Sequence, residues 1–182
     1  MKKYISVIFL LGFLLIFQNC ASQKSSDPQA VAAMVNAQEF TFYAERANPT
    51  NYDVINVMNS MPNATSTRML NLDGGYTIDL KNNVLDVYLP YFGRSFKATY
   101  GGDNSYKFSS KDFSLNKSQN KKGNWVIKIK PNDVNTVSEI IIEVFKNGKA
   151  FTSIQSNDRQ PISYDGYISK GASPAKDKTA QP

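Results

Sequence analysis

Residues 139–155 read EIIIEVFKNGKAFTSIQ, and the fold is decided in this stretch. Two runs rich in β-branched and aromatic residues flank Asn147-Gly148, a dipeptide that tolerates the positive φ of a tight hairpin turn. Residues 139–145 and 150–155 are therefore expected to pair as a β-hairpin. Just upstream, Gly123 and Asn124 turn the chain into Trp125, Ile127 and Ile129 on one face, with Lys128 and Lys130 on the other. That period-two alternation belongs to a half-buried strand.

The same grammar continues toward the N-terminus. Short strands are predicted over 105–109 and 112–117, and over 94–100 with a stop at Gly101-Gly102. Residues 76–80 and 84–89 form two more, joined at Asn82-Asn83, with Pro90 as the stop; residues 68–72 lead into Asp73-Gly74-Gly75, a hairpin turn. In 39–47, Phe40, Phe42 and Ala44 alternate with Thr41, Tyr43 and Glu45, and Asn48-Pro49 end the run. Two helices are expected: one begins at Asp27-Pro28 and reaches Ala37, where an N-cap and a first-turn proline coincide. The other lies within 51–63, where Tyr52, Ile55 and Met58 fall three apart and Pro62 closes the segment. About eight to ten short strands without strand-helix-strand alternation make an all-β sandwich or barrel. Short connections favour an antiparallel meander, an up-and-down β-barrel with a short N-terminal helix.

The ends carry a different message. Lys2 and Lys3, then an apolar run from Val7 to Phe17, then Gln18 and Asn19 have the three zones of a secretory signal. The apolar run is shorter than the roughly 20 residues that a membrane-spanning helix needs. Residues 1–19 are thus expected to be removed, 20–27 to be a lipidated Cys20 with its tether, 28–169 a single β domain, and 170–182 a disordered tail. Phe17-Gln18-Asn19 match a strict lipobox poorly, yet Cys20 is the one cysteine and stands where an acylated cysteine must. The competing expectation is an ordinary cleavage, for example after Ser22, giving a soluble secreted protein.

Composition removes several chemistries. The chain has no histidine and one cysteine, so an imidazole-based triad, an internal disulfide and the common metal ligands are missing. Neither a Gly-x-Ser-x-Gly elbow nor a nucleotide-binding glycine pattern occurs, and no catalytic residue, metal or cofactor is expected. The net charge is +6, falling to +4 once Lys2 and Lys3 leave, and Lys121-Lys122 is the only basic pair that stands out. A nucleic-acid partner is not supported. Asp79, Asp86 and Glu143 sit on strands, where polar-face positions explain them better than paired catalytic carboxylates do.

Two knots could bind something. The aromatic cluster of Leu89-Pro90-Tyr91-Phe92-Gly93, with Phe96, Tyr100 and Tyr106 nearby, could line the mouth of a barrel. Packing of those rings at strand ends is the blander and favoured explanation. In the knot over 157–166, Arg159 could hold an anion bidentately, or pair with Asp158 or Asp165, or satisfy loop carbonyls; Arg94 invites the same alternatives. The candidate ligand residues are Tyr91, Phe92, Arg94, Arg159 and Tyr164.

Phe40-Thr41-Phe42 with Ala47 and Pro49, the run Leu89-Pro90-Tyr91-Phe92-Gly93-Arg94, and the closing segment with Arg159-Gln160-Pro161-Ile162-Ser163-Tyr164 resemble the bacterial domain of unknown function family 4251. The likeness runs from about Phe40 to Ile168. It implies a small exported protein, often a lipoprotein, of Bacteroidetes-type bacteria, with a fold similar to lipocalin-type barrels and no activity to carry over. Lipoboxes of those bacteria look looser than the strict pattern. The non-acidic Ala21-Ser22-Gln23-Lys24 implies the periplasmic face of the outer membrane. The resulting expectation is a non-enzymatic periplasmic binding module for a hydrophobic ligand or peptide, with a cavity between Tyr91, Phe92, Arg94 and Arg159 and a membrane partner through its N-terminal lipid. The alternative is an envelope structural or assembly protein acting through protein-protein contacts.

Overall fold

The computed structural model describes residues 27–62, 65–97 and 104–170. The expected signal, Cys20 and most of its tether, the turn at Gly101-Gly102 and the tail from 171 onward lie outside them. Helix α1 (Pro28–Ala37) is followed by β1 (Phe40–Pro49), α2 (Tyr52–Ser60) and α3 (Ser66–Leu70). Eight further strands then follow in sequence: β2 (Thr77–Lys81), β3 (Val84–Leu89), β4 (Tyr106–Ser110), β5 (Phe113–Gln119), β6 (Trp125–Pro131), β7 (Val137–Val144), β8 (Lys149–Ser156) and β9 (Ile162–Ser169).

All nine strands belong to one sheet in the order β4-β3-β2-β1-β9-β8-β7-β6-β5. Every pairing is antiparallel, and the first strand joins the last through Thr41↔Ser169 to Pro49↔Ile162. The sheet curls into a nearly closed barrel. A ring of strictly alternating strands must have an even number, so nine cannot alternate all the way round. The registers resolve this: followed through either set of neighbours, β4 and β5 run in the same direction, separated only by Lys111 and Asp112. They are two halves of one bent strand, the first half paired to β3 and the second to β6. Asp133 stitches the bend by accepting from the Ser110 hydroxyl and from the Lys111 and Asp112 amides, at 3.0 and 3.3 Å. Hydrogen bonds from Ser110 and Lys111 hold the Asp133 carboxyl below its ordinary range.

The interior is filled by side chains, as expected of a small barrel. Phe42, Ile78, Leu80, Leu85, Leu89, Ile127, Ile129, Ile140, Ile142, Ile154, Ile162 and Tyr164 are all fully buried. In β1 the inward phase holds for Phe40, Phe42 and Ala44; a bulge between Ala44 and Arg46 then re-phases the strand so that Ala47 is buried. Opposite Ala44 stands Gly166, where a Cβ would lie 1.9 Å from the Tyr43 carbonyl oxygen. Only glycine allows β1 and β9 to approach so closely.

The barrel has two dissimilar ends. At the first, which we call the base, α1 enters β1, β9 leaves, and the β2–β3, β5–β6 and β7–β8 hairpins turn. Asp27 caps α1 through the Gln29 amide, and Gln38 ends the helix in the left-handed conformation. Val31, Met34 and Val35 bury its apolar stripe. Lys117 on β5 donates to the Asn36 carbonyl at 3.0 Å, and Ile168 donates to the Gly148 carbonyl at 2.9 Å, which ties these features together. The opposite end, the rim, carries α2, α3 and the β3–β4, β6–β7 and β8–β9 loops.

Most of the expected elements form, with four corrections. Residues 68–72 are not a strand: Ser66–Leu70 is helical, because Thr65 caps that turn and buried Leu70 packs it down. Asp73-Gly74-Gly75 is therefore no hairpin, but links α3 to β2, with Gly75 at φ +93°. Residues 94–97 form no strand; Ser95 makes a single bridge to Arg159. In α2, Met58 is buried but Tyr52 is 80% exposed, so those two residues do not share a face.

Candidate functional site

The rim is where the sequence candidates gather. β3 delivers Leu89 and Pro90 to the rim, and the chain then runs over it through Tyr91, Phe92 and Gly93. β4 begins at Tyr106 and β9 at Ile162, so the rings of Tyr91, Tyr106 and Tyr164 are brought beside the loop that holds Arg159. Tyr91 and Tyr106 meet edge to face, with centroids 5.6 Å apart at 82°. The Arg159 guanidinium carbon lies 5.1 Å from the first ring centroid and 5.0 Å from the second.

The donors of Arg159 are engaged. Its Nε and Nη2 reach the two carboxylate oxygens of Asp158 at 3.1 and 3.0 Å, and Nη1 donates to the Asn104 carbonyl at 2.7 Å. Both charged side chains of the pair are 13% exposed. The Arg159 guanidinium holds the Asp158 carboxyl below the usual carboxylate range, and Asp158 in turn raises Arg159. Asp165, the other partner considered, accepts from the Asn48 amide instead, at 2.7 Å.

The other candidates divide. Tyr164 is completely buried, and its hydroxyl donates to the Pro90 carbonyl at 2.7 Å; burial raises its pKa. Tyr91 donates from one hydroxyl toward the Arg94 and Gln160 carbonyls, at 2.9 and 3.1 Å. Phe92 is half-buried against the core. Arg94 is exposed and contributes its backbone, since its carbonyl also accepts from the Gln160 amide at 3.0 Å. Tyr106 was outside the candidate list, yet it is the second ring against Arg159. Its hydroxyl bonds to that of Ser156 at 2.8 Å, and burial pushes its pKa up to about 12. Together these contacts form a clasp that closes the β3–β4 segment onto the β8–β9 loop.

On the outer surface of the rim, only Phe96 belonged to the aromatic cluster picked out in the sequence. Tyr52 is 80% exposed, Phe96 68%, Val57 56% and Met61 45%. Tyr52 and Phe96 are held on either side of the clasp loop. The Asn51 amide donates to the Gln160 side-chain oxygen at 3.2 Å, and the Phe96 amide donates to the Asp158 carbonyl at 2.7 Å. The carboxylates form no common centre: Asp79 and Asp86 are cross-strand neighbours on β2 and β3, whereas Glu143 on β7 accepts from the side chains of Asn120 and Asn124. Among the described residues, no group of three or more acidic or cysteine side chains is placed to hold a metal.

A search of curated proteins gives no match. Among solved structures, the chain is similar to a DUF4251 family protein from Bacteroides eggerthii, at 15% identity and a TM-score of 0.48, over 80% of this chain and 88% of that one. The sequence profile described as "Domain of unknown function (DUF4251)" matches residues 22–168, a span that takes in every strand of the barrel but for the last residue of β9, and the chain belongs to that family.

Proposed function

We propose that the protein is a non-enzymatic, lipid-anchored module of the cell envelope that holds an apolar segment of a partner polypeptide at its rim. The observation that carries this is the distribution of apolar surface. The barrel interior is occupied by its own side chains, while Tyr52, Val57, Met61 and Phe96 project outward at one end. Exposed aromatic and methionine side chains beside amide groups are the composition of protein-binding surfaces. The binding-module expectation is thereby moved from a cavity between Tyr91, Phe92, Arg94 and Arg159 to the outer surface of the rim, and it merges with the alternative of action through protein contacts. Arg159 acts in this scheme as the brace that fixes the rim, its donors being committed to Asp158 and Asn104. The Cys20 anchor, the export signal and the periplasmic address rest on the sequence reading.

A photo-crosslinking amino acid placed at Tyr52 or Phe96 in cells tests the proposal. The expected result is one discrete protein adduct from both positions, lost when the other three exposed side chains are changed to serine. Adducts to lipid alone, or equal labelling from Asn135 in the β6–β7 loop, would overturn it. Mass spectrometry of the N-terminal peptide tests the anchor separately.

A further inference from the structure

We infer that the base of the barrel is a docking surface for the anionic phospholipid headgroups of the bilayer that holds the anchor. This rests on the lipid-anchor reading of Cys20 above.

Charge is the first ground. Lys81, Lys121, Lys122, Lys146, Lys149 and Lys170 are all exposed, and all belong to strand ends or turns at the base. Among the described residues, none of the six has a carboxylate within 4.0 Å. The acidic groups at this end are Asp27, which caps α1, Glu39, which is exposed beside Phe40, Glu143, whose Oε1 accepts from Asn120 and Asn124, and the cross-strand pair Asp79 and Asp86, two residues in from the β2–β3 turn, of which Asp79 accepts from the Thr41 hydroxyl. The rim, by contrast, mixes Asp53, Asp73, Asp133 and Asp158 with its cations.

Shape is the second ground. The tips of the β5–β6 and β7–β8 hairpins enclose an open depression of about 420 Å³, lined by Lys122, Asn124, Phe145, Lys146, Asn147 and Lys149. The two tips are in contact, since a Cβ at Gly123 would meet the Lys146 Cε at 3.1 Å and Nζ at 3.3 Å. Gly123 has φ +76°, so the turn needs glycine and leaves room for that lysine to lie across it. Phe145 is 37% exposed at the same place. Ammonium groups around an exposed apolar ring suit a phosphate-bearing interface, where each lysine near an anionic surface adds attraction and a phenylalanine ring enters the headgroup/acyl boundary.

Reach is the third ground. Six residues separate Cys20 from Asp27, and the seven residue-to-residue steps span at most about 25 Å when fully extended. Helix α1 has ten residues and is about 15 Å long, with its C-terminus at the base. The acylated end therefore holds the lysine-bearing face within reach of the membrane surface, and lysines projecting from that face meet headgroups without unfolding anything.

The test uses the purified full chain reconstituted into phosphatidylcholine vesicles with and without phosphatidylglycerol. Acylation blocks the sulfur of Cys20, so Asn147→Cys introduces one reactive thiol for an environment-sensitive fluorophore; Asn135→Cys reports from the rim. Phosphatidylglycerol should shift the emission of the base probe to the blue and leave the rim probe unchanged. The phosphatidylglycerol content that gives half the shift should rise by about fivefold for each of Lys121, Lys122, Lys146 and Lys149 changed to glutamine. Inorganic phosphate at constant ionic strength should not compete. Flotation with vesicles, an acylated intact mass and no phosphatidylglycerol-dependent shift would overturn the inference while the anchor stands. Reversal of the shift by phosphate would also overturn it, in favour of a free-anion site. An unacylated mass would refute the anchor, and the same probe with Cys20→Ser added then decides alone, since binding to phosphatidylglycerol vesicles supports the surface and its absence removes it.

Discussion

Replacing Arg159 with alanine separates a structural brace from a ligand-binding arginine. The substitution removes a 2.7 Å charged hydrogen bond to the Asn104 carbonyl, a two-point contact with Asp158 and a cation resting on two rings. A hydrogen bond to a charged group contributes about 1.5–3 kcal/mol, and a cation over an aromatic face contributes about 0.5–1 kcal/mol at a partly exposed site. Partial rehydration of Asp158 offsets some of the loss, because that side chain is 13% exposed. We therefore expect a destabilisation of about 3 kcal/mol, which lowers the melting temperature of a domain of this size by roughly 10 °C. Arg159→Lys should recover less than half, since an ammonium cannot reproduce the planar fork. Urea and thermal unfolding followed by circular dichroism and by Trp125 fluorescence measure the change. A cycle with Asp158→Ala should give a coupling of about 1–2 kcal/mol. The sign with pH follows from the lowered Asp158 carboxyl: its contribution is present above the ordinary carboxylate pKa and is lost as pH falls through the lowered value. The acid limb should accordingly flatten in Arg159→Ala. A loss below about 0.5 kcal/mol, combined with abolished partner capture, would refute the brace and restore Arg159 as a binding group.

Gly166→Ala should prevent normal pairing of β1 with β9, because the new Cβ meets the Tyr43 carbonyl oxygen at 1.9 Å and carbon at 2.9 Å; the expected loss is about 3 kcal/mol or more, read from soluble yield and urea midpoint. Asp133→Ala should open the strand bend, seen as faster amide exchange at Lys111 and Asp112 with little change at β8. In the unsubstituted protein the protection of the same amides, relative to the intrinsic exchange rate at each pH, should fall as pH falls through the lowered Asp133 pKa. Tyr106 keeps its proton to about pH 12 when folded, so stability is complete below pH 10 and falls as pH rises toward 12; in Tyr106→Phe the alkaline limb of a thermal-shift profile should be shallower.

Local pattern carried much of the architecture. Asn82-Asn83 and Asn147-Gly148 are turns because the chain needs positive φ there, at +51° and +57° for the asparagines and +83° for Gly148, and these residue types accept it. The inward phase of Trp125, Ile127 and Ile129 was visible for the same local reason. β9 was hard to see because Gly166 interrupts its inward row of Ile162, Tyr164 and Ile168, and the glycine is there for a partner strand 122 residues earlier in the chain. The helical turn at Ser66–Leu70 was missed because burial of Leu70, not its propensity, fixes it. At the rim, Tyr91, Arg159 and Tyr164 were identifiable as a group, but their division of labour was not. Which ring lies over a guanidinium and which hydroxyl is buried depend on tertiary contacts 50 to 74 residues apart.

The bend between β4 and β5 determines which proposals are physically available. Had Lys111 and Asp112 formed a hairpin, as two separate short strands would suggest, every later strand would run the other way. β9 would then lie parallel to β1, and the β5–β6 and β7–β8 tips would sit beside α2 at the rim. The antiparallel pairing of Thr41 with Ser169, the bond from Lys117 to Asn36 and the bond from Ile168 to Gly148 place those tips at the α1 end instead. One carboxylate, Asp133, thus holds the geometry that sends Lys121, Lys122, Lys146 and Lys149 to the end where the N-terminal segment enters, and leaves Tyr52 and Phe96 at the other. A barrel with its cationic face toward an anionic bilayer and its apolar face away from it has the polarity of an adaptor that captures a partner on the far side. The two proposals therefore stand on separate residues but on the same strand parity.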